Sequence, residues 1–278
     1  METGTCSGFT TELSEEGILT IRFDRPERMN GMSIAMKRDL IEPLTQAQMS
    51  NAVRVVLFTG SGAAFSAGDD LKGYTDPDAT GPARMDPIAP GHDSGIGTYS
   101  ALRTISQRVN RAVRELDKLT IAAINGVAIQ TGFSLALACD FRIAARSARM
   151  GSATLRFALL PDEGGHYLLV QHLGVAGAMD FLMRRRIVNA ERAQALGLVH
   201  EVVDDDLLEA EALVLARELA AGPQTAMRLL KRSLYAAADQ HLVAAFDDIA
   251  ARTAVSDHHP DAKEGVAAFR EKRAPRFS

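Results

Sequence analysis

The segment that decides the fold lies near the middle of the chain, where residues 119–139 read LTIAAINGVAIQTGFSLALAC. It carries no charged residue and is long enough to span a membrane. Its interior, however, contains Asn125-Gly126 and Gln130-Thr131-Gly132, whose polar groups and turn residues would be costly in lipid. The segment is better explained as a buried strand over Ile121–Ile124, a turn and the start of a helix.

Other apolar runs predict further strands. Val53–Phe58 is rich in valine and is followed by Gly60, a pattern typical of a strand covered on both faces, as in parallel sheets. Apolar residues alternate with polar ones over Gly17–Asp24, which indicates a half-buried strand. Two more strands are predicted over Phe141–Ala144 and Leu198–Val203.

Helical patterns lie between these strands. Thr98–Leu116 has apolar residues at steps of three and four, which predicts an amphipathic helix. Ser33 is a predicted N-cap of another helix, which Pro43 should kink or end. Because strands and helices alternate up to residue 205, we expect an α/β core over residues 1–205 and a purely helical region over 206–278. The helices predicted for that region are Leu207–Ala220, Pro223–Ala238, Leu242–Val255 and Asp261–Glu271.

Composition excludes several classes of function. The 278 residues are 46% hydrophobic and 24% charged, which is ordinary for a globular protein with a sizeable core. The formal net charge of −4 argues against nucleic acid or an anionic membrane as a partner. The only cysteines, Cys6 and Cys139, form no disulfide framework or CxxC motif, and Met1–Phe9 lacks the apolar stretch of a secretory signal. We therefore expect a cytoplasmic protein.

One long segment has no periodicity. Gly73–Gly97 holds four prolines and five glycines, which predicts a long mobile loop. Loops of this length within a compact domain are usually functional or disordered.

Two glycine-containing turns, each following a predicted strand, are candidates for chemistry. Phe65–Leu71 reads FSAGDDL and Gln130–Ser134 reads QTGFS. Free backbone N–H groups at such turns favour a negatively charged oxygen, and two that converge would form an oxyanion hole. Either turn taken alone is more often structural.

Motifs for metals and nucleotides are missing from the sequence. Gly60-Ser61-Gly62 lacks the third glycine of a dinucleotide fingerprint, so NAD is not expected. His166 and His172 are six residues apart and would not share a helix face, which makes them a poor metal pair. No serine lies in a GxSxG nucleophile motif.

Several ordered motifs together resemble the enoyl-CoA hydratase/isomerase (crotonase) family. They are DRPERMNGMS at residues 24–33, FSAGDDLK at 65–72, ING at 124–126 with ACD at 138–140, and KEGVAAFREKRAPRF at 263–277. The likeness runs from Gly17 to Phe277 and implies a spiral of ββα units. It also implies C-terminal helices that build a homotrimer or a dimer of trimers. The implied substrate is an acyl-CoA thioester, with coenzyme A as part of the substrate and no separate cofactor.

The resemblance also assigns roles to residues. The backbone N–H groups of Ala67 and Thr131 would hold the thioester oxygen, where negative charge develops when a proton leaves the α-carbon. The residues expected along coenzyme A are Arg28 and Met29; Ala64, Ser66, Asp70 and Leu71 near the adenine or pantetheine; and Phe269 and Lys272 at the nucleotide end, from the same or a neighbouring subunit.

The sequence departs from the family pattern at the acid/base residues. Hydratases of the family use two glutamates, and here those positions hold Ser134 and Thr154. Some isomerases and the aryl-CoA dehalogenase of the family resemble this chain in placing an acid after the proline of Pro161-Asp162, so Asp162 is the first candidate for acid/base or nucleophile. Glu163 is the second. The alternative is that Asp162 only caps the helix that begins near Gly164.

These residues favour an enzyme that stabilises a thioester enolate with one carboxylate, such as a double-bond isomerase. Three alternatives remain open: hydration of a 2-enoyl-CoA by Asp162 or Glu163, hydrolysis of a thioester or of a ring carbon–carbon bond, and a coenzyme A-binding scaffold without activity.

Overall fold

The structure is a computed structural model that describes residues 3–70 and 94–278. Leu71 and residues 73–93 of the predicted mobile loop lie outside the described residues.

The described residues form two sheets. The strands are β1 Gly4–Cys6, β2 Phe9–Leu13, β3 Ile18–Phe23, β4 Val55–Gly60, β5 Ala64–Ser66, β6 Leu119–Ile124, β7 Val127–Ile129, β8 Phe141–Ala145, β9 Arg149–Gly151, β10 Ile187–Asn189 and β11 Glu201–Val203. Their order is β1-β2-β3-β4-β6-β8-β11 in the seven-stranded sheet and β10-β9-β7-β5 in the four-stranded sheet. The strand predicted over Leu198–Val203 is therefore shorter than expected.

Ten α-helices are described. They are α1 Ile34–Met49, α2 Gly95–Ala101, α3 Gln107–Glu115, α4 Thr131–Ala138, α5 Gly165–Met183, α6 Ala190–Ala195, α7 Leu208–Ala221, α8 Gln224–Ala237, α9 Leu242–Asp257 and α10 Pro260–Glu271. A π-helical turn at Leu102–Ser106 joins α2 to α3, so the predicted helix Thr98–Leu116 is one helical path with a widened turn.

Of the two predicted effects of Pro43, ending the helix is wrong, because α1 runs through Pro43 to Met49, and a kink stays a prediction. The ring of Pro43 is buried together with Leu40 and Leu44 on the face that packs into the core. This burial offsets the hydrogen bond that proline cannot donate. Ser33 caps α1 as predicted, since its hydroxyl accepts from the N–H of Met36 at 3.1 Å.

Three successive ββα units build the core. The first strands of the units, β4, β6 and β8, pair in parallel in the large sheet, and the second strands, β5, β7 and β9, pair in parallel in the small one. Each strand pair is followed by a helical segment: α2–α3, α4 and α5 respectively. The predicted α/β spiral of ββα units is confirmed.

The segment 119–139 is the second of these units. It forms β6, β7 and α4, and every residue of β6 and α4 is buried. The prediction of strand, turn and helix is therefore confirmed. No helix in the described part of the chain is both long and apolar enough to cross a bilayer.

The boundary predicted at residue 205 does not match the packing. Helix α7 buries Leu208, Ala212 and Ala216 and lies on β4, β6 and β8, so the core includes it. The helices beyond it differ, and α9 buries none of its residues. Helix α8 still contacts β6 and buries Lys231, so the region that stands apart from the core begins with α9.

Candidate active site

The two glycine-containing turns of the sequence meet in the structure. Gly68, with φ +96°, lies so close to the second turn that a Cβ atom there would stand 3.0 Å from the carbonyl oxygen of Ile129. A Cβ atom on Gly132 would stand 2.4 Å from the carbonyl oxygen of Ser66. The absence of side chains at these two positions allows the loop after β5 to pack directly against the start of α4.

The amide predicted to serve at the first turn is already occupied. The N–H of Ala67 donates to the carbonyl of Met29 at 2.9 Å, so Ala67 does not supply a free donor. Met32 pairs with the chain on both sides of Asp69, since its N–H donates to Gly68 and its carbonyl accepts from Asp70. The N–H of Asp69 between them makes no hydrogen bond within residues 3–70 and 94–278. The donor predicted at Ala67 is therefore corrected to Asp69.

The second predicted donor, the N–H of Thr131, makes no hydrogen bond within the residues that the structure describes. Thr131 is the first residue of α4, where N–H groups have no acceptor within the helix, and the first such bond of this turn runs from Ser134 to Gln130. Positive electrostatic potential at a helix start adds to its affinity for anions. The corrected candidate pair of donors is thus Asp69 and Thr131.

A side-chain link joins these two residues. The Thr131 hydroxyl donates to Asp69 Oδ1 at 2.6 Å, and Lys37 Nζ lies 2.7 Å from the same oxygen. Lys37 is 2% exposed and also donates to the hydroxyl of Ser106, at 3.1 Å. Neither Lys37 nor Asp69 was singled out in the sequence, because a lysine within an amphipathic helix is usually solvated.

Glu163 is buried beside the start of α4, with 2% of its surface exposed. Its Oε1 accepts from the hydroxyl of Ser134 at 2.7 Å and from Gln130 Nε2 at 2.8 Å. Burial, together with the negative charge of Asp162, raises the pKa of Glu163 to about 7 against the opposing effect of these hydrogen bonds. A carboxyl group with such a pKa exchanges protons near neutral pH.

Gln130 is a functional candidate that the sequence reasoning missed. Its amide oxygen accepts from the hydroxyl of Ser152 at 2.6 Å, which orients its nitrogen toward Glu163. Its φ of 47° is in the left-handed region, which a non-glycine residue occupies only at a cost, and such strain is concentrated at functional sites. The position directly before the second turn was the one available signal.

Asp162 is exposed, in contrast to its neighbour. Partial removal from water raises the pKa of its carboxyl group, and the negative charge of Asp69 raises it further, while Lys37 opposes this. Gln107 donates to the Asp162 carbonyl at 2.9 Å and Asn110 to the Glu163 carbonyl at 3.0 Å, which fixes this segment against α3.

The capping role considered for Asp162 is contradicted. The N-cap of α5 is Gly164, in a left-handed conformation, and no side chain caps the helix there. The carboxylate of Asp162 therefore does not cap α5.

The two positions that hold glutamates in hydratases carry hydroxyl groups with different surroundings. Ser134 donates to Glu163, so this position still contributes to a carboxyl site. The hydroxyl of Thr154 is buried and has no hydrogen-bond partner in the described part of the chain.

The residues predicted along coenzyme A have diverse environments. Arg28 and Met29 are exposed on a 3₁₀ turn at Pro26–Arg28, as a ligand contact requires. The carboxylate of Asp70 instead forms an ion pair with Arg25 at 2.8 Å. Ala64 and Ser66 are buried, so the structure gives their side chains a role in forming the turn, and their contact with coenzyme A stays a prediction.

The C-terminal candidates lie on or next to α10. Phe269 is 85% exposed, which is unusual for an aromatic side chain without a partner. Lys272 ends α10 in a left-handed conformation and is exposed. Their predicted contact with the nucleotide end of coenzyme A is not tested by these positions.

Comparison with known proteins agrees with this arrangement. The family model described as enoyl-CoA hydratase/isomerase matches residues 14–85 and 91–278. The chain belongs to the enoyl-CoA hydratase/isomerase family. It is thus an enzyme of a family that acts on acyl-CoA, and the resemblance noted in the sequence is confirmed.

Relatives within the family carry different activities in their names. The chain is 35% identical over 267 residues to a 1,2-epoxyphenylacetyl-CoA isomerase of Escherichia coli, covering 95% of this chain and 96% of the relative. It is 34% identical to a probable enoyl-CoA hydratase of Rhodobacter capsulatus, covering 95% of each. The crystal structure of a putative enoyl-CoA hydratase from Streptomyces coelicolor superposes with a TM-score of 0.89 at 31% identity, covering 100% of this chain and 96% of that one.

Proposed function

We propose that this enzyme is an acyl-CoA isomerase that forms a thioester enolate and moves its proton with Asp162. The observation that carries the proposal is the exposed carboxylate of Asp162, whose pKa is raised by partial burial and by the charge of Asp69, the residue whose backbone N–H makes no hydrogen bond within the described residues. The E. coli relative named an isomerase supports the same reaction class.

In this mechanism the carboxylate of Asp162 removes a proton from the α-carbon of a 3-enoyl-CoA. The electron pair of that C–H bond moves toward the carbonyl, and the negative charge develops on the thioester oxygen between the N–H groups of Asp69 and Thr131. Donors that meet charge formed only in the transition state lower the barrier. Asp162 then returns the proton to the γ-carbon, which yields the 2-enoyl-CoA with no net change in atoms.

The pair of neighbouring carboxyl groups fits this proton transfer. Glu163, the next residue in the chain, is buried and accepts hydrogen bonds from Ser134 and Gln130. It therefore places a second, shielded carboxyl group beside the exposed one of Asp162. The raised pKa of Asp162 brings its basicity closer to that of a useful general base.

The test is Asp162→Asn, assayed for conversion of 3-hexenoyl-CoA to 2-hexenoyl-CoA and for exchange of deuterium from D₂O into the acyl chain. Loss of a general base lowers turnover by about 10²–10⁴-fold. Asp180→Asn is the matched control, because Asp180 is exposed on α5 and its ion-pair partners among the described residues are Arg184 and Arg186, close by in sequence. Unchanged turnover and exchange in Asp162→Asn would remove Asp162 from the mechanism.

Hydration of a 2-enoyl-CoA is the second candidate. It is favoured by the juxtaposition of Asp162 with Glu163, whose pKa of about 7 suits a proton donor, and by the relative named a probable hydratase. Water addition to crotonyl-CoA removes the ultraviolet absorbance of the conjugated thioester. Loss of that absorbance in wild type would favour hydration, release of free thiol would favour hydrolysis, and tight binding without turnover would favour a scaffold.

We also propose that the molecule assembles as a homotrimer or a dimer of trimers through α8–α10. Helix α9 buries no residue in the isolated chain, although it carries large apolar side chains: Val243 is 80% exposed and Phe246 is 63% exposed. An apolar surface of this extent indicates a protein interface. Sedimentation equilibrium should give three or six subunits, and Phe246→Glu should dissociate them, whereas a monomeric wild type would refute the proposal.

A further inference from the structure

A buried lysine forms an ion pair with one of the two residues that carry the proposed oxyanion donors. Lys37, on α1, is 2% exposed, and the carboxylate nearest its ammonium group is that of Asp69, at 2.7 Å. Its second partner is the hydroxyl of Ser106, in the π-helical turn between α2 and α3. A charged amine is removed from water only at a cost unless it is paired and hydrogen-bonded. Lys37 therefore fixes the position of Asp69 relative to two other segments.

The same oxygen of Asp69 also receives the hydroxyl of Thr131, at 2.6 Å. Asp69 and Thr131 carry the two proposed donors, and neither backbone N–H makes a hydrogen bond within the described residues. Their side chains thus tie together the two turns that carry the donors. Two donor atoms, Lys37 Nζ and Thr131 Oγ1, thus meet at Asp69 Oδ1 and form a small clamp.

Charge gives this clamp a second role. A carboxylate beside a developing oxyanion would oppose the reaction by like-charge repulsion. Lys37 supplies the opposite charge at contact distance, so the carboxylate can hold the turn in place without that penalty. This explains why an acidic residue is tolerated at a position whose amide would bind an anion.

We propose that Lys37 and the hydroxyl of Thr131 are positioning residues, which set the separation and electrostatics of the two oxyanion donors through the carboxylate of Asp69. The inference rests on the proposed function, because it requires that Asp69 and Thr131 bind the thioester oxygen. It goes beyond it in assigning the geometry of those donors to a buried ion pair on α1.

The experiment measures the infrared stretching frequency of butanoyl-CoA labelled with ¹³C at the carbonyl, free and bound to each protein. Hydrogen bonds from the two amides weaken the C=O bond, so the wild type should lower this frequency. Thr131→Val removes the hydroxyl but keeps the backbone N–H and the shape of the side chain, and it should lose a large part of the shift. Thr131→Ser, which retains a hydroxyl, should restore most of what Thr131→Val loses.

Lys37→Met should also reduce the shift and should lower kcat about 10-fold or more with a smaller change in KM, because small displacements of catalytic groups have large effects. Lys231→Met is the matched control: Lys231 is a second buried lysine, 2.7 Å from Asp140 at the other end of α4. It should lose stability and retain the full shift.

The outcomes separate the two proposals. If the wild type binds the labelled thioester without lowering its carbonyl frequency, the oxyanion site itself is wrong. If the wild type lowers the frequency and Thr131→Val and Lys37→Met lower it equally, the oxyanion site stands and the positioning role is overturned.

Discussion

The two ends of helix α4 each lie beside a buried lysine–aspartate pair, and the pairs differ in how completely the aspartate is satisfied. The N–O distance is 2.7 Å in both. At the C-terminal end, Asp140 accepts from the N–H and hydroxyl of Thr120, from Lys231 and from the hydroxyl of Tyr235, and its side chain is 8% exposed. At the N-terminal end, the side chain of Asp69 is 29% exposed, with both side-chain donors on one oxygen.

The contrast indicates that Asp140 has a structural role, whereas Asp69 belongs to the candidate active site. Both oxygens of Asp140 are used to attach α8 to the start of β6, since Lys231 and Tyr235 belong to α8 and Thr120 to β6. A carboxylate in that state has no capacity left for a ligand. Within the described residues, neither Oδ2 nor the backbone N–H of Asp69 has a partner, and Asp69 lies at the end of α4 where helix amides attract negative charge. Helix α4, whose eight residues span about 12 Å, lies between the two aspartates.

The largest expected effect is a loss of folding stability when the ion pair between Lys231 and Asp140 is removed. Lys231→Met leaves Asp140 buried without its counter-charge, and removal of one partner from a buried pair costs about 3–5 kcal/mol. Urea denaturation measures the loss. Activity per folded molecule should stay at the wild-type level, and a loss of stability below about 1 kcal/mol would contradict the anchoring role.

A smaller effect on folding stability is expected from the titration of Glu163, which lies beside the N-terminal end of α4. The folded pKa of Glu163, about 7, lies above its ordinary value of 4.5, so folded protein binds a proton that unfolded protein releases between these values. The contribution of Glu163 to stability is therefore full below about pH 4.5 and falls as the pH rises to about 7, by about 1.4 kcal/mol per unit of pKa difference.

Glu163→Gln removes this titration. Its free energy of unfolding, relative to the wild type, should increase as the pH rises from 5 to 7. Denaturation curves at pH 5, 6, 7 and 8 measure the difference. A constant difference across that range would mean that the group is already ionised in the folded protein at pH 5.

The smallest effect expected is at Gln130, whose amide donates to Glu163. Gln130→Ala keeps the strained backbone and removes a hydrogen bond to a carboxylate, which costs about 1–3 kcal/mol. Because this hydrogen bond lowers the pKa of Glu163, its loss should raise that pKa above the wild-type value. Carboxyl ¹³C NMR titration measures the change, and an unchanged titration curve would show that Gln130 does not stabilise the charged form.

Much of the fold could be predicted because it depends on local patterns. The apolar runs Val55–Phe58 and Ile121–Ile124 lie in strands whose residues are all buried, which is typical of strands covered on both faces. The expectation that Pro43 could end α1 was wrong because the cost of proline is local, whereas the burial that compensates for it depends on the whole core.

The site was less predictable because it depends on distant contacts. The choice between Ala67 and Asp69 as amide donor is decided by a hydrogen bond from Ala67 to Met29, far earlier in the chain. Lys37 looked like any solvated helix residue until the fold brought Asp69 to it. Asp162 and Glu163 are adjacent in sequence, and only the structure shows which of them is exposed.

The contact between Gly132 and the carbonyl of Ser66 has a consequence for how this enzyme can diversify. Because even a methyl group would collide there, the frame that carries the two amides has almost no freedom to vary. New acyl preferences must therefore arise in the walls around that frame, so reaction chemistry and substrate choice can evolve through separate sets of mutations.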